Sequence, residues 1–363
     1  MADRRFEIDA DIRKARTPPK ELYVDPELFA AQRERVFERS WLFASPAHGL
    51  EEPGAARPFT LLPGCIDEPL VLVRDTHREL HCLSNVCTHR ANIIVERECS
   101  VPNLRCKYHG RRFHLDGTFA FMPEFEDVAG FPSEKDWLQR LPVAAWRDLV
   151  FVSLAPATSA NAVIAAVEAR LAGVDVTQWT FDASSSRDYL IDANWALYCE
   201  NYLEGFHIPF VHEALNQVLD FKRYRTETFE HGSVQVGVAA EGEPAFHPPA
   251  GHPDHGAPIG AWYFFLFPNT MLNVYPWGLS LNVVEPIAVN KTRVRFLAFV
   301  TKPELRGAGA GGDLHRVEME DEDVVQSVQR GVKSRLYRGG RYSPTQEIGV
   351  HHFHRWLAEQ MGG

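Results

Sequence analysis

The sequence predicts an α+β protein in which a small all-β domain precedes a larger domain that combines strands with a long helix. Short apolar runs broken by Gly and Pro fill residues 41–155, which is typical of an all-β domain. An Ala- and Ser-rich stretch from about residue 155 marks a boundary. An amphipathic helix is indicated over 314–336. The 363 residues are enough for two cores.

The elements follow in this order along the chain. Residues 1–40 form an N-terminal helical segment, which we expect to pack on the second domain, and its Asp25-Pro26-Glu27 is a typical helix start. Residues 41–155 form the all-β domain, with apolar runs such as 69–73 as its strands. Residues 156–363 form the second domain, which opens with a connecting helix.

The all-β domain carries two short motifs that combine one cysteine with one histidine. Cys87-Thr-His89 is followed by Cys106-Lys-Tyr-His109. A [2Fe–2S] cluster of the Rieske type takes two thiolates on one iron and two imidazoles on the other. The pairing therefore predicts a Rieske cluster, which passes on single electrons.

A structural zinc site is the alternative for the same four residues, because zinc accepts the same ligand types. Zinc fingers place both cysteines before both histidines. Here each loop supplies one of each, so the two loops can face each other across two irons. The ligand order favours the Rieske cluster and leaves zinc as the lesser alternative.

The second domain carries a histidine pair in the segment from Glu204 to His212. Glu204 and His207 are three residues apart and would share one helical face. His212 would point away on an unbroken helix, but we expect Pro209 to bend the chain at Ile208 and return it toward His207. Two imidazoles and a carboxylate form the ligand triad of non-haem Fe(II) oxygenases. Buried structural histidines are the alternative.

The predicted helix over 314–336 supplies the candidate carboxylate. Asp321 lies in the centre of its apolar stripe, which consists of Leu314, Val317, Val325, Val328 and Val332. A carboxylate that faces a core without a partner is costly, so we expect Asp321 to bind the metal. The alternative is a buried pair with an arginine. The neighbouring acidic residues are expected to form a solvated face.

Composition limits the classes of partner. The net charge is −10, from 38 basic and 48 acidic residues, which argues against nucleic acid. No apolar run is long enough to span a membrane, and the first residues do not resemble a secretory signal. We therefore expect a cytoplasmic protein without a membrane partner, in which the cysteines outside the cluster are free thiols.

In its motifs and their order, the chain resembles the α subunit of Rieske non-haem iron oxygenases, including the carnitine-type monooxygenases. The resemblance implies a helix-grip second domain, in which a curved antiparallel sheet surrounds a long helix. It also implies a homotrimer, in which Glu204 bridges His207 to His109 of a neighbouring subunit. One departure is Arg111, where that family usually has Trp, and it bears on the packing around the cluster.

The resemblance further implies the reaction. A separate reductase or ferredoxin, drawing on NAD(P)H, would supply electrons through the cluster to a mononuclear Fe(II), which activates O2 as co-substrate. Because the chain has no Gly-x-Gly-x-x-Gly motif after a strand, it lacks a nicotinamide site of its own. The expected activity is hydroxylation or demethylation of a small molecule such as a quaternary amine. The alternatives are an aromatic-ring dioxygenase acting on an aromatic carboxylate, and a Rieske electron carrier without oxygenase activity.

Aromatic residues are the only sequence signal for the substrate. The run Trp262–Phe267 is a probable strand, and one of its faces should line the pocket. Such a pocket could hold a quaternary ammonium by cation–π contacts or could simply be aromatic packing. Residues 241–260 are expected to form a long loop over the site. The other candidate pocket residues are Tyr202, Phe206, Phe210, Tyr275 and Trp277.

Overall fold

The computed structural model describes residues 6–176 and 179–362. Contacts divide the chain into two compact units. One unit comprises residues 41–156, and the other comprises residues 1–40 together with 157–363. The N-terminal segment therefore belongs to the same unit as the C-terminal half. Among the described residues, no helix has both the length and the apolar composition of a membrane-spanning segment.

The unit of residues 41–156 consists of three small antiparallel sheets. The sheets have the strand orders β1-β11-β10, β5-β2-β3-β4-β9 and β6-β7-β8. The strands are β1 (Leu42–Pro46), β2 (Ala55–Leu61), β3 (Glu68–Arg74), β4 (Leu80–Ser84), β5 (Cys99–Ser100), β6 (Leu104–Arg105), β7 (Arg112–Phe113), β8 (Phe119–Phe121), β9 (Arg140–Leu141), β10 (Val143–Trp146) and β11 (Leu149–Val152). A single 3₁₀ turn over Glu134–Asp136 precedes β9.

Two loops of this unit carry the cysteine and histidine motifs. The first lies between β4 and β5, and the second lies between β6 and β7. The second loop is a tight turn: the N–H of Cys106 donates to the Arg111 carbonyl at 2.8 Å, and the N–H of Gly110 donates to the Cys106 carbonyl at 3.1 Å. Gly110 has φ +76°, which glycine adopts without strain. The β6–β7 hairpin thus fixes the direction of both ligands in its loop.

The other unit is built on one antiparallel sheet of seven strands, in the order β12-β18-β17-β16-β15-β14-β13. The strands are β12 (Thr180–Ile191), β13 (Arg225–Phe229), β14 (Gly232–Val238), β15 (Ile259–Leu266), β16 (Thr270–Tyr275), β17 (Gly278–Ala288) and β18 (Lys291–Val300). The helices are α1 (Glu21–Val24), α2 (Pro26–Gln32), α3 (Ala160–Leu171), α4 (Trp195–Tyr202), α5 (Ile208–Val211), α6 (Glu213–Val218), α7 (Leu314–Val332) and α8 (Ile348–Gln360). A π-helical turn over Arg33–Phe37 follows α2, and 3₁₀ turns cover Phe221–Arg223, Pro303–Leu305 and Gly309–Gly311.

The central strands of this sheet are covered on both faces, so their sequences are almost continuously apolar. Every residue of β15 is buried. Along β15 the side chains alternate between the two faces. Trp262 packs on Phe246 from the long loop, with ring centroids 4.9 Å apart. Phe265 packs on Tyr202 of α4 and on Phe353 of α8. An all-β unit joined to a sheet-and-helix unit is the α+β class that the sequence predicts.

Helix α7 differs from its prediction in length and in the side that it buries. It ends at Val332, and the predicted terminus Leu336 is 86% exposed. Val328, assigned to the apolar stripe, is 43% exposed, whereas Glu318 is 1% exposed. The reason is that polar partners face this helix. The Tyr198 hydroxyl of α4 donates to Glu318 at 2.5 Å, so a polar side chain can occupy a buried position.

The loop between β14 and β15 is held by a buried carboxylate. This loop ends at residue 258, because β15 begins at Ile259 within the predicted range of 241–260. Asp254 forms an ion pair with Arg170 at 2.7 Å, is hydrogen bonded to Arg225, and accepts from the Trp262 indole N–H at 2.8 Å. These contacts attach the loop to α3, β13 and β15. A carboxylate with three such donors is strongly anchored.

Candidate functional site

The two loops of the all-β unit bring their four predicted ligands together in pairs. Cys87 and Cys106 are buried members of the core, at 3% and 1% exposure. His89 and His109 are partly exposed, and their Nδ1 atoms are 3.1 Å apart. The thiols therefore face the core and the imidazoles face the surface.

This arrangement fits a two-iron cluster better than one zinc ion. The four donor atoms do not all lie within 4.8 Å of one another, whereas four donors on one tetrahedral zinc at about 2.1–2.3 Å lie closer than that. Burial, together with the neighbouring Cys106 thiol, raises the pKa of the Cys87 thiol. A thiol in such surroundings becomes a thiolate when a metal supplies positive charge. The donor set and its division into pairs match the Rieske type.

Arg111, the position that departs from the resembled family, is a buried cation behind the second loop. It is 2% exposed, and its guanidinium lies 2.9 Å from the Asp136 carboxylate. The guanidinium also lies 5.2–5.6 Å from the ring centroids of Phe113, Phe119 and Phe131. Burial opposes the charge of Asp136, yet Arg111 and other hydrogen-bond donors hold the pKa of that carboxyl below its usual range. An ion pair thus occupies this position.

The predicted iron triad of His207, His212 and Asp321 also comes together. The Nε2 atoms of His207 and His212 are 3.2 Å apart. Oδ1 of Asp321 lies 3.0 Å from Nε2 of His212 and 3.6 Å from Nε2 of His207. Three adjacent ligands of one octahedral ion, each about 2.1 Å from it, lie about 3 Å apart. The triangle therefore fits a single divalent ion.

The bend that joins the two histidines is not where the sequence predicted it. Helix α4 ends at Tyr202, so Glu204 and His207 do not share a helical face. Ile208 is helical, because Pro209 lies in the first turn of α5, where no amide donor is needed. His207 precedes this short helix and His212 follows it with φ −111° and ψ 75°. One turn of helix therefore sets the distance between the two rings.

Each imidazole is oriented by a second carboxylate. Nδ1 of His207 lies 2.8 Å from Oε1 of Glu204, whose other oxygen accepts the His207 backbone N–H at 3.0 Å. Nδ1 of His212 lies 2.8 Å from Oε2 of Glu320. Arg316 donates to the other Glu320 oxygen at 2.9 Å. Such contacts fix the tautomer, so that Nε2 faces the metal position.

Glu320 is the residue that sequence reasoning missed. It was assigned to a solvated acidic face, as was Glu322, which is buried at 9% exposure. Glu320 lies next to Asp321 on α7, so the two carboxylates point in different directions. His212 lies between them and meets both. Only its place immediately before a predicted ligand could have indicated this role.

The triad opens on a cavity of about 90 Å³. Its lining includes five tyrosines and no lysine or arginine among the described residues. Trp262 does not line it, since that ring faces the other side of the sheet, and neither does any residue of 241–260, so the loop is not a cover for this cavity. The tyrosines are Tyr198, Tyr202, Tyr224, Tyr263 and Tyr275.

Three further predicted pocket residues lie outside the cavity. Phe206 is 43% exposed and Phe210 is 81% exposed, and both flank His207 in the sequence. Trp277 stacks on Tyr275 with centroids 5.5 Å apart, but it faces the next depression along the surface. The aromatic lining therefore comes mainly from the sheet and from α4.

Two protein families match separate parts of the chain. The family described as "Rieske [2Fe-2S] domain" matches residues 41–132. The family described as "Ring hydroxylating alpha subunit (catalytic domain)" matches residues 174–363. Together these two matches cover most of the chain.

Two curated relatives match almost the full length. A chloroplastic choline monooxygenase of Arabidopsis thaliana is 31% identical, over 96% of this chain and 84% of its own. The oxygenase subunit of carnitine monooxygenase from Escherichia coli K12 is 30% identical, over 96% of this chain and 95% of its own.

Solved structures share the fold. A quaternary ammonium Rieske monooxygenase in complex with an inhibitor aligns with a TM-score of 0.81 at 24% identity, over 97% of both chains. Naphthalene 1,2-dioxygenase from Rhodococcus sp. aligns with a TM-score of 0.72 at 18% identity, over 95% of this chain and 94% of its own.

We expect Asp136→Asn to destabilise the all-β unit by about 3 kcal/mol, because it removes the carboxylate that balances the buried Arg111 charge and leaves the guanidinium only neutral acceptors, such as the Asp136 backbone carbonyl at 3.1 Å. The measurement is urea unfolding of the full chain, monitored by the loss of cluster absorbance. Glu96→Gln is the matched control, since it breaks the exposed pair between Glu96 and Lys107, and it should change stability by less than about 0.5 kcal/mol. A midpoint for Asp136→Asn equal to that of the control would contradict a stabilising pair.

Proposed function

We propose a reaction for this chain on the premise that it belongs to the Rieske oxygenases as an α subunit of the ring-hydroxylating type, a family of enzymes with a Rieske [2Fe–2S] cluster and a non-haem iron. The proposed reaction is oxygenation of a small quaternary amine, by hydroxylation or demethylation. Electrons come from a reductase partner, which is typical of the family. We propose NAD(P)H as the source of those electrons.

The proposed ligands are the residues that the sequence indicated. We assign Cys87, His89, Cys106 and His109 to the cluster, and His207, His212 and Asp321 to the mononuclear iron. The assignment is supported by the 3.1 Å contact between the first two imidazoles and by the triangle of the second set. When bound, the cluster supplies single electrons and the iron supplies the chemistry of O2.

The protein itself contributes orientation and a shielded cavity. Glu204 and Glu320 hold the two imidazoles by their Nδ1 atoms, which leaves each Nε2 free to bind metal. Tyr202 donates to the Phe264 carbonyl at 3.1 Å and to the Asn273 side chain at 2.8 Å. Because its hydroxyl is occupied in this way, the ring is held still against the cavity. Such rings exclude water and present their faces to a bound substrate.

The substrate class rests on one observation, the five tyrosines of a cavity whose described lining contains no lysine or arginine. Aromatic faces attract a quaternary ammonium by the cation–π effect. An aromatic carboxylate would meet no lysine or arginine among the described lining residues, so only the bound iron would offset its desolvation. This opposes the alternative of a dioxygenase for aromatic acids. The match over 174–363 and the second metal site oppose a pure electron carrier.

We expect substrate-dependent O2 uptake when the purified chain is supplied with a Rieske-oxygenase reductase, NADH and choline or L-carnitine. One oxygen atom should enter the organic product and the other should form water, with two electrons consumed. Mass spectrometry would identify the alcohol, aldehyde or released formaldehyde. A dihydrodiol formed from benzoate, with no product from any ammonium compound, would contradict the proposed substrate class.

Glu320 provides a test of the iron assignment. Glu320→Ala should weaken Fe(II) binding about 10–100-fold, because His212 loses the partner that fixes its tautomer. A chelator competition on protein depleted of mononuclear iron measures this affinity. Asp323→Ala is the matched control, since it removes the same charge from an exposed position of α7. Equal affinities for the two variants would oppose a role for His212 in iron binding.

We also propose that the chain assembles as a homotrimer and is cytoplasmic. Exposed aromatic residues lie beside both metal sites: Phe206 and Phe210 flank His207, and Tyr108 is 57% exposed and stacks on His109 at 3.8 Å. Exposed aromatics of this kind are typical of protein interfaces. In the proposed ring, Glu204 accepts hydrogen bonds from His207 and from the partner's cluster histidine.

Glu204→Gln should keep both metals yet nearly abolish coupled turnover, because a neutral amide holds the two imidazoles less well than a carboxylate. Iron and sulfide per chain, sedimentation and turnover are measured together. Glu213→Gln is the control, since Glu213 is an exposed residue next to His212. Near-normal turnover of Glu204→Gln, or a monomeric wild type with full activity, would contradict the bridge.

A further inference from the structure

Glu318 is a buried carboxyl group that the proposed reaction has not yet used. It lies on α7, three residues before Asp321, and it is 1% exposed. Its Oε2 accepts a hydrogen bond from the Tyr198 hydroxyl at 2.5 Å. Its Oε1 has no hydrogen-bond partner. The side chain lines the same cavity as the iron triad.

A carboxyl oxygen buried without a partner is costly, and more so when the group is charged. Among the described lining residues there is no lysine or arginine to offset this cost. Burial accordingly raises the pKa of Glu318. Because Glu318 lines the cavity, the partner that Oε1 lacks can come from a ligand bound there. A ligand with positive charge would supply it.

The position of Glu318 also suits a substrate. Three residues of helix rise about 4.5 Å along the axis, so the carboxyl lies about one turn from the Asp321 ligand. Glu318 and Asp321 lie on neighbouring parts of the α7 surface. A group held at Glu318 would therefore lie next to the metal position, within reach of the oxygenation chemistry.

We propose that Glu318 is a specificity-determining residue, whose carboxylate pairs with the ammonium group of the substrate while the tyrosines enclose its methyl groups. This inference rests on the proposed function and adds the residue that selects positive charge. Tyr198 acts as a positioning residue, because its hydroxyl holds Oε2, so that Oε1, which has no partner in the described structure, is left for the ligand. Aromatic rings alone would also accept a neutral molecule of the same shape, whereas a carboxylate would not favour it.

The same contact could be purely structural, since Glu318 joins α7 to α4 through Tyr198. A structural role would affect all ligands alike. A role in charge selection would affect cations and leave neutral molecules of equal shape unchanged. Comparing a cationic ligand with a neutral one of equal shape therefore distinguishes charge selection from a structural role.

The test compares choline with 3,3-dimethyl-1-butanol, its neutral isostere, by anaerobic calorimetry on the iron-loaded holoenzyme. The wild type should bind choline at least tenfold more tightly than the isostere. Glu318→Gln, which keeps the shape and an acceptor for Tyr198, should lose at least tenfold in choline affinity and keep its affinity for the isostere. Glu322→Gln, a buried glutamate of the same helix outside the cavity lining, is the matched control and should change neither.

Glu318→Asp covers the case in which the glutamine variant fails to fold, because it keeps the charge and should retain the preference for choline. Unchanged choline affinity in Glu318→Gln, an equal loss for both ligands, or loss of the preference in Glu318→Asp would overturn the proposal. Choline binding that depends on Glu318 but yields no oxygenated product would overturn the proposed function and leave this inference standing. A wild type that binds no ammonium compound would overturn both.

Discussion

The contact of Asp321 with the two imidazoles is the constraint on which the catalytic unit depends. It joins α7 to the short helix between His207 and His212, and these elements are more than one hundred residues apart in the chain. Three donor atoms at 3.0–3.6 Å would leave strong polar groups crowded together without a cation. Carboxylates on both sides of the site supply negative charge that such a cation would balance. The elements that carry these carboxylates are consequently positioned around the metal site.

The cavity beside this point has a consistent electrostatic character. Its described lining contains no lysine or arginine, its tyrosines present aromatic faces, and its buried Glu318 lies on the helix that carries Asp321. A metal ion would balance the charge of Asp321, whereas Oε1 of Glu318 has no hydrogen-bond partner in the described structure. The cavity is therefore best matched by a ligand that brings its own positive charge. The negative charge of the carboxylates in the cavity would disfavour anionic aromatic acids.

The all-β unit has a different role, which is to hold a cluster at its surface. Buried thiols fix one side, and partly exposed imidazoles leave the other side open to an electron-transfer partner. Arg111 lies immediately after the second loop and packs among three phenylalanines with Asp136 as its counter-ion. A buried ion pair occupies the position where an indole is usual in the family. The ion pair between Arg111 and Asp136 thereby supports the second loop together with apolar packing.

The sequence by itself determined the family, the fold class and both groups of candidate ligands. It could do so because the cysteine and histidine motifs lie within short loops, whose spacing is a local property, and because helical periodicity alone turns Asp321 inward. The tertiary structure decided the location of the bend before His207, the exposure of Phe210, and the roles open to Glu318 and Glu320. Those features depend on what faces each side chain across the fold: His212 beside Glu320, and Tyr198 beside Glu318. Such contacts join residues that lie far apart in the chain, so no local sequence pattern reveals them. Only the packing of the sheet and the helices brings these residues together.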